Sequence, residues 1–160
     1  MVGEQIMLLI KSKWKENPLM ISSGLLNSCV FLTGHSSYLG LNVVQVDAVH
    51  SALSAMGFQD IEIVVAETGW PSRGDSNEVG PSLENAKAFN GNLINHLRSL
   101  VGTPLMPGKS VDTYIFALYD EDLKPGPGSE RAFGLFKTDG TMAYDAGLAK
   151  SSQQVRKLLL

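Results

Sequence analysis

The stretch Ile61-Glu62-Ile63-Val64-Val65-Ala66-Glu67-Thr68-Gly69-Trp70-Pro71-Ser72 decides the fold. Residues 61–66 are apolar and largely β-branched, which is typical of a short strand buried on both faces of a parallel sheet. The chain then enters a loop over residues 68–81 that is rich in Gly, Pro, Ser and Asp. Gly69 permits a sharp turn, and Pro71 stiffens the backbone that follows. An acid, Glu67, therefore lies where a buried strand meets a loop.

Helical patterns flank this strand. Residues 44–57 are predicted to form a helix that ends at Gly57, because apolar residues recur at spacings of three and four. A second helix is predicted over residues 83–100, with Ser82 as its cap and Glu84 near its positive end. The predicted buried positions are Val46, Val49, Leu53 and Met56 in the first helix and Ala86, Phe89, Leu93, Leu97 and Leu100 in the second.

A second strand is predicted over residues 111–119, followed by a loop rich in Gly and Pro and a short terminal helix near residues 142–150. Alternating helices and strands indicate a right-handed parallel α/β fold. Two strands cannot close a barrel, and a complete barrel typically needs about 250 residues. The pattern therefore indicates part of a larger sheet, and we expect the chain alone to have low stability because both strands would expose edges.

Composition excludes several classes of function. The chain has 160 residues, of which 44% are hydrophobic and 18% charged, and its net charge is −3. The 13 Lys and Arg residues are scattered, so we expect no nucleic-acid partner and favour a neutral substrate. A single cysteine, Cys29, allows no intrachain disulfide, and the three histidines lack metal-ligand spacing. We expect no metal and no cofactor. The apolar stretches near the start are too short for a membrane span, and none forms a convincing signal peptide.

Two acids follow the predicted strands and are candidates for catalysis. In parallel α/β folds the loops after the strands form the active-site face, so Glu67 and Glu121 can point toward one substrate. Paired carboxyl groups are the standard catalysts of glycoside hydrolysis. Two simpler interpretations stay open: Glu67 could only accept hydrogen bonds from loop N–H groups, and Glu121 could belong to a solvated run of acids. Trp70 could be either a platform for a sugar ring or a core residue.

Four blocks of the sequence extend over roughly two-thirds of the chain. They are Val64-Val65-Ala66-Glu67-Thr68-Gly69-Trp70-Pro71-Ser72, Asn85-Ala86-Lys87-Ala88-Phe89-Asn90, Thr113-Tyr114-Ile115-Phe116-Ala117-Leu118-Tyr119-Asp120-Glu121 with Lys124-Pro125-Gly126, and Ser129-Glu130-Arg131-Ala132-Phe133-Gly134-Leu135-Phe136. Through these blocks the sequence resembles glycoside hydrolase family 17, the plant glucan endo-1,3-β-glucosidases.

The resemblance implies a (β/α)8 barrel that cleaves internal β-1,3-glucosidic bonds with retention. This chain would carry about the last two strands and the last three helices of that barrel. Glu67 matches the nucleophile, and Glu121, Lys124 and Glu130 match a polar network beside it. Trp70 and Phe116 are then candidates for sugar contact. A lysine close to Glu67 would favour the ionised nucleophile.

The chain also departs from the family pattern. The family's general acid comes from a strand upstream of anything matched here, so no residue is assigned to that role. We divide the chain into a divergent segment at 1–43, the barrel portion at 44–150 and a tail at 151–160. The resemblance implies β-1,3-glucan as partner, a monomer, and a location in the cell wall, outside the cell or in the vacuole.

Three hypotheses follow. The first is a β-1,3-glucan hydrolase, with mixed-linkage β-glucan as a second possible substrate. The second is a non-catalytic glucan-binding remnant that lacks the general acid. The third is an unrelated α/β domain that carries the motif by chance.

Overall fold

A computed structural model describes residues 5–11, 19–22 and 38–149. The described elements are strand β1 (Gln5–Lys11), strand β2 (Leu19–Ser22), helix α1 (Tyr38–Ala55), strand β3 (Glu62–Gly69), helix α2 (Leu83–Ser99), strand β4 (Asp112–Ile115) and a 3-10 turn (Gly128–Arg131). The alternation of helix and strand from α1 to β4 confirms the predicted α/β class.

The four strands form one sheet in the order β2-β1-β3-β4. β3 and β4 pair in parallel, as the helical connection between them requires. β1 pairs antiparallel with the other edge of β3, and β2 pairs antiparallel with β1. The expectation that both edges of β3 and β4 would be open is therefore wrong for β3, whose outer edge is covered by a hairpin that the sequence analysis did not predict.

Helix α1 packs on β3 through one apolar face. Val46, Val49 and Leu53 are buried in a cluster with Ile63 and Val65 of the strand. Met56 was also predicted to be buried, and this prediction is wrong. The residue is 61% exposed because the helix ends at Ala55. The backbone then turns through Gly57, which has a φ of 84° that favours glycine.

Helix α2 has the predicted cap and most of the predicted buried face. The side chain of Ser82 accepts a hydrogen bond from the backbone N–H of Asn85 at 3.1 Å. The buried residues of the helix are Ala86, Phe89, Asn90, Leu93 and Ile94. Leu100 is 62% exposed, contrary to prediction, because it adopts the left-handed conformation that ends the helix.

The segment after β4 differs most from prediction. β4 ends at Ile115 rather than at residue 119, and residues 142–149 contain no helix. Asp145 instead accepts a hydrogen bond from the N–H of Gly147, whose φ of 76° turns the chain. The Arg98 side chain donates to the carbonyl oxygens of Gly147 and Leu148, which ties the end of this segment to α2. Within the described ranges no helix is long and apolar enough to cross a membrane.

Candidate active site

Glu67 lies at an irregularity in β3 that affects both neighbouring strands. Against β4, the register advances from Val65↔Thr113 to Thr68↔Ile115, so β3 has one residue more than its partner. Against β1, the register skips Ala66 between the pairs Leu8↔Val65 and Met7↔Glu67. An extra residue of this kind bends a strand and redirects its side chains, and it often occurs beside active sites. The predicted nucleophile is half-buried at this bulge.

The ends of β3 and β4 are held in very close contact. The N–H of Phe116 donates to the carbonyl oxygen of Thr68 at 2.8 Å, and Thr68 is fully buried. A Cβ atom at Gly69 would collide with the carbonyl oxygen of Phe116, so only glycine fits there without displacement. The peptide bond between Phe116 and Ala117 is cis. Thr68 thus bonds the residue that follows β4, and Gly69 leaves room for its carbonyl oxygen.

Lys124 lies at the centre of a group formed by four of the predicted site residues. Its Nζ is 3.0 Å from Glu130 Oε2 and 3.5 Å from Glu121 Oε2. It also lies 4.7 Å from the centroid of the Phe116 ring, within cation–π range. Burial opposes the charged form of Lys124, but the hydrogen bond and charge of Glu130, with the charge of Glu121, raise its pKa above the ordinary value.

The expected neighbour of Lys124 was Glu67, and the structure gives it other partners. Among the described residues, the ion pairs of Lys124 are with Glu130 and Glu121, and none joins it to Glu67. The two carboxylates already satisfy the ammonium group. Phe116 links the two parts of the site instead, because its backbone contacts Thr68 and its ring contacts Lys124.

Trp70 lies in the core beside the site. It is 9% exposed, and its ring centroid lies 5.7 Å from that of Phe89 in α2. Its indole N–H donates to the carbonyl oxygen of Gly80 at 3.1 Å. Of the two interpretations of this residue, the burial favours core packing over an open platform for a sugar ring. Phe116, the other residue predicted to contact sugar, is half-buried and packs edge-on against Phe133.

An ion pair between exposed Arg73 and buried Asp120, which the sequence did not reveal, ties together the loops after β3 and β4. Asp120 Oδ2 accepts from Arg73 Nη1 at 2.7 Å, and the Asp120 side chain is only 2% exposed. Its other oxygen accepts from the N–H of Gly134 at 2.9 Å. A Cβ atom at Gly134 would collide with the backbone N of Asp120, so this glycine permits the contact. The charge pattern of Asp120-Glu121-Asp122 gave no sign that its first acid is buried while Glu121 is partly exposed.

A second link between these loops was also missed. Glu78 accepts hydrogen bonds from the hydroxyl and the N–H of Ser129, at 2.5 and 3.0 Å. Asp75 accepts from the N–H of Gly128 at 2.8 Å. The residues are too distant in sequence for a local pattern to reveal these bonds. Together with the Arg73–Asp120 ion pair, these hydrogen bonds join the loop after β3 to the loop after β4.

A polar cleft of about 280 Å³ lies between these loops. It is lined by Arg73, Gly74, Asp75, Asp122, Gly128 and Arg131. The lining carries two positive and two negative side chains, which suits a neutral polar ligand better than a polyion. Within residues 38–149, no three His, Cys, Asp or Glu residues are grouped as a metal site.

Comparison with known proteins gives a consistent result. The family described as "Glycosyl hydrolases family 17" matches residues 25–147. The chain is 77% identical over 115 residues to glucan endo-1,3-beta-glucosidase 7 of Arabidopsis thaliana, covering 72% of this chain and 23% of that protein. It is 72% identical over 120 residues to a glucan endo-1,3-beta-D-glucosidase of Olea europaea, covering 75% and 26%.

Solved structures agree with these relatives. CJP38, a β-1,3-glucanase and allergen of Cryptomeria japonica pollen, superposes with a TM-score of 0.62 at 43% identity, over 68% of this chain and 33% of that one. A plant β-glucan endohydrolase superposes with a TM-score of 0.54 at 38% identity, over 62% and 30%. The chain spans about a quarter of the length of the curated relatives it matches. By sequence and by structure, this chain belongs to glycosyl hydrolases family 17.

Proposed function

We propose that the chain carries the nucleophile side of the active site of a glucan endo-1,3-β-glucosidase. The reaction is hydrolysis of internal β-1,3-glucosidic bonds with retention of configuration. The observation that carries the proposal is the bulge of β3 near the carboxyl end of a parallel strand, where Glu67 precedes Thr68 and Thr68 bonds to the backbone of Phe116. The names of the relatives supply the substrate class.

In this proposal Glu67 attacks the anomeric carbon and forms a covalent glycosyl intermediate. The leaving-group oxygen takes a proton from a general acid, and water then releases the sugar. Glu121 and Glu130 are poor candidates for that acid, because the carboxylate of each is already engaged in an ion pair with the Lys124 ammonium. Their role is electrostatic: they hold the Lys124 ammonium over the Phe116 ring. The general acid then belongs to a part of the barrel outside the matched residues.

The fold we propose for the intact site is a (β/α)8 barrel. β3 would be its seventh strand and β4 its eighth, which is supported by their parallel pairing around α2. Residues 44–150 would form the barrel portion, with 1–43 as a divergent segment and 151–160 as a tail. Residues 1–4, 12–18, 23–37 and 150–160 lie outside the described residues.

The partner in this account is a neutral polysaccharide, β-1,3-glucan, with mixed-linkage β-glucan as the lesser candidate. The mixed charge of the polar cleft and the net charge of −3 favour such a ligand over nucleic acid. We propose a monomer that acts in the cell wall, outside the cell or in the vacuole, as the family implies.

Hydrolysis of a dinitrophenyl β-laminaribioside by the purified chain tests the catalytic proposal, because its leaving group departs without a general acid. We expect release of dinitrophenolate that stops in Glu67→Gln, since the amide cannot act as the nucleophile. The matched control is Glu84→Gln, an exposed glutamate in the first turn of α2. Equal rates in the wild type and in Glu67→Gln would contradict the assignment of Glu67.

A second function is binding of β-1,3-glucan without cleavage. It is favoured by one observation: among the described residues, Glu121 and Glu130 are both engaged with Lys124, and no other residue is assigned as the general acid. Retardation of the folded chain in a laminarin-containing native gel, without release of reducing sugar, would support this alternative. Turnover that depends on Glu67 would exclude it.

A further inference from the structure

Glu78 is a carboxylate that accepts three hydrogen bonds, and it has no role in the proposed reaction. Its Oε1 accepts from the Ser129 hydroxyl at 2.5 Å. Its Oε2 accepts from the N–H of Ser129 at 3.0 Å and from the N–H of Asp75 at 2.7 Å. Ser129 is 1% exposed, so water cannot readily replace these bonds.

Asp75 reinforces the same contact from the neighbouring position. Its Oδ2 accepts from the N–H of Gly128 at 2.8 Å, the first residue of the 3-10 turn. A Cβ atom at Gly128 would collide with Asp75 Oδ1. The carboxylates of Asp75 and Glu78 therefore fix the start of the turn by accepting three hydrogen bonds from Gly128 and Ser129. A fourth bond, from the N–H of Asp75 to Glu78, holds the two acids together within the loop after β3.

The 3-10 turn Gly128–Arg131 also fixes the position of Lys124. Glu130, the residue after Ser129, holds the Lys124 Nζ at 3.0 Å. Arg131, the last residue of the turn, donates to the carbonyl oxygens of Lys124 and Gly126, both at 3.0 Å. Both the side chain and the backbone of Lys124 are thus tied to this one turn. Its ammonium consequently stays over the Phe116 ring.

We infer that Glu78 is a positioning residue for the active site: by holding Ser129 it fixes the turn Gly128–Arg131 and, through Glu130, the charge of Lys124 over Phe116. The inference rests on the proposed function, since Lys124 matters for catalysis only if the site is catalytic. Glu78 acts through Ser129 and Glu130 rather than by touching the reacting atoms.

NMR spectroscopy of the full 160-residue chain tests this inference without requiring turnover. The ε-methylene protons of Lys124 should resonate upfield because they lie near the Phe116 ring. In Glu78→Gln and in Ser129→Ala we expect them to move most of the way toward the shift of Lys137, an exposed lysine. The double variant should move them no further than the single ones, because both changes break the same link. Glu84→Gln, the matched control, should leave them in place.

Kinetics with a dinitrophenyl β-laminaribioside, which needs no general acid, add the functional arm. We expect Ser129→Ala to lower kcat about tenfold with KM changed less than about twofold, since a misplaced charge affects the transition state more than binding. Folded variants in which the Lys124 protons keep their wild-type shift would overturn the inference. Ser129→Ala, which removes one oxygen, keeps the test decisive if Glu78→Gln fails to fold. A wild-type chain without turnover would count against the proposed function, whereas an unmoved Lys124 counts against the role of Glu78.

Discussion

Phe116 donates its backbone N–H to the carbonyl oxygen of Thr68 at 2.8 Å, and this bond joins the ends of two parallel strands. Thr68 directly follows the predicted nucleophile Glu67, and the Phe116 ring lies beneath the ammonium of Lys124. The bond therefore connects Glu67, through Thr68 and Phe116, to the group around Lys124. The geometry depends on Gly69, which leaves room for the carbonyl oxygen of Phe116.

Gly69→Ala should destabilise the chain by at least about 2 kcal/mol, because the new Cβ would collide with backbone rather than with a flexible side chain. Urea unfolding followed by circular dichroism measures the change. The matched control is Gly91→Ala in α2, where a Cβ would lie 3.8 Å from the carbonyl oxygen of Ala146, an ordinary contact. That control should raise stability by about 0.5–1 kcal/mol through helix propensity. Equal effects of the two substitutions would contradict the close approach at Gly69.

Asp120→Asn should cost about 1–3 kcal/mol. The substitution removes the charge that pairs with Arg73 while the Gly134 N–H keeps an acceptor. Breaking a fully buried pair costs about 3–5 kcal/mol, and the smaller value reflects the 55% exposure of the Arg73 side chain. Asp60→Asn, at an exposed position in the turn before β3, is the control and should change stability by less than about 0.5 kcal/mol. A neutral effect at Asp120 would show that the loops are not joined through this pair.

Tyr144→Phe should destabilise the chain by about 1–3 kcal/mol, because the buried Asn90 amide loses the phenol oxygen that accepts from it at 2.6 Å. Asn90 is fully buried, and its own Oδ1 already has no hydrogen-bond partner among the described residues. Tyr119→Phe, at an exposed site, is the control. Comparable stabilities of the two variants would argue against the Asn90–Tyr144 bond.

The same tyrosine predicts a signature in alkaline titration. Burial and the charge of Asp120 raise the pKa of Tyr144 above its ordinary value, although the bond from Asn90 lowers it in part. The neutral phenol is therefore favoured in the folded state, and its contribution to stability should be lost as the pH rises above about 10. Absorbance at the wavelength of phenolate should show one late-ionising tyrosine that is missing in Tyr144→Phe. A titration curve of unchanged shape would refute this assignment.

The carboxylate of Glu78 predicts a dependence on acid. The hydroxyl of Ser129 and the N–H of Asp75 lower the pKa of Glu78 below its ordinary value, and desolvation opposes them only in part. A lowered folded pKa stabilises the folded state above the unfolded pKa, and this contribution is lost as the pH falls through the folded pKa. The difference in Tm between the wild type and Glu78→Gln should therefore be largest near pH 7 and shrink below about pH 4.5. A difference that stays constant down to about pH 3 would contradict this.

Local patterns in the sequence predicted the elements that position the site. The apolar spacing of Val46, Val49 and Leu53 and the cap at Ser82 correspond to α1 and α2 as observed. The apolar run at residues 61–66 corresponds to the first part of β3, which continues through Glu67 to Gly69, where a loop was predicted from residue 68. These features are decided by neighbours a few residues apart, which a single sequence displays.

Features that depend on distant partners were not predictable. The Arg73–Asp120 and Glu78–Ser129 contacts join residues 47 and 51 positions apart. The terminal helix was predicted wrongly because the segment turns at Asp145–Gly147 and is held there by Arg98, 49 and 50 positions away from the carbonyl groups it bonds. The hairpin of β1 and β2 was missed because its continuous apolar run shows neither helical nor alternating periodicity.

The most direct test of the central claim uses a substrate that needs no general acid. Such a substrate is a 2-deoxy-2-fluoro β-laminaribioside that carries a dinitrophenolate leaving group. The dinitrophenolate departs unaided, and the fluorosugar stays on the nucleophile as a long-lived glycosyl ester. After incubation with the intact chain, mass spectrometry of its peptides should find one fluoroglycosyl adduct on Glu67, and none on the Glu67→Gln variant. A folded chain that acquires no adduct, or acquires it on Glu121 or Glu130, would contradict the assignment of Glu67 as the nucleophile.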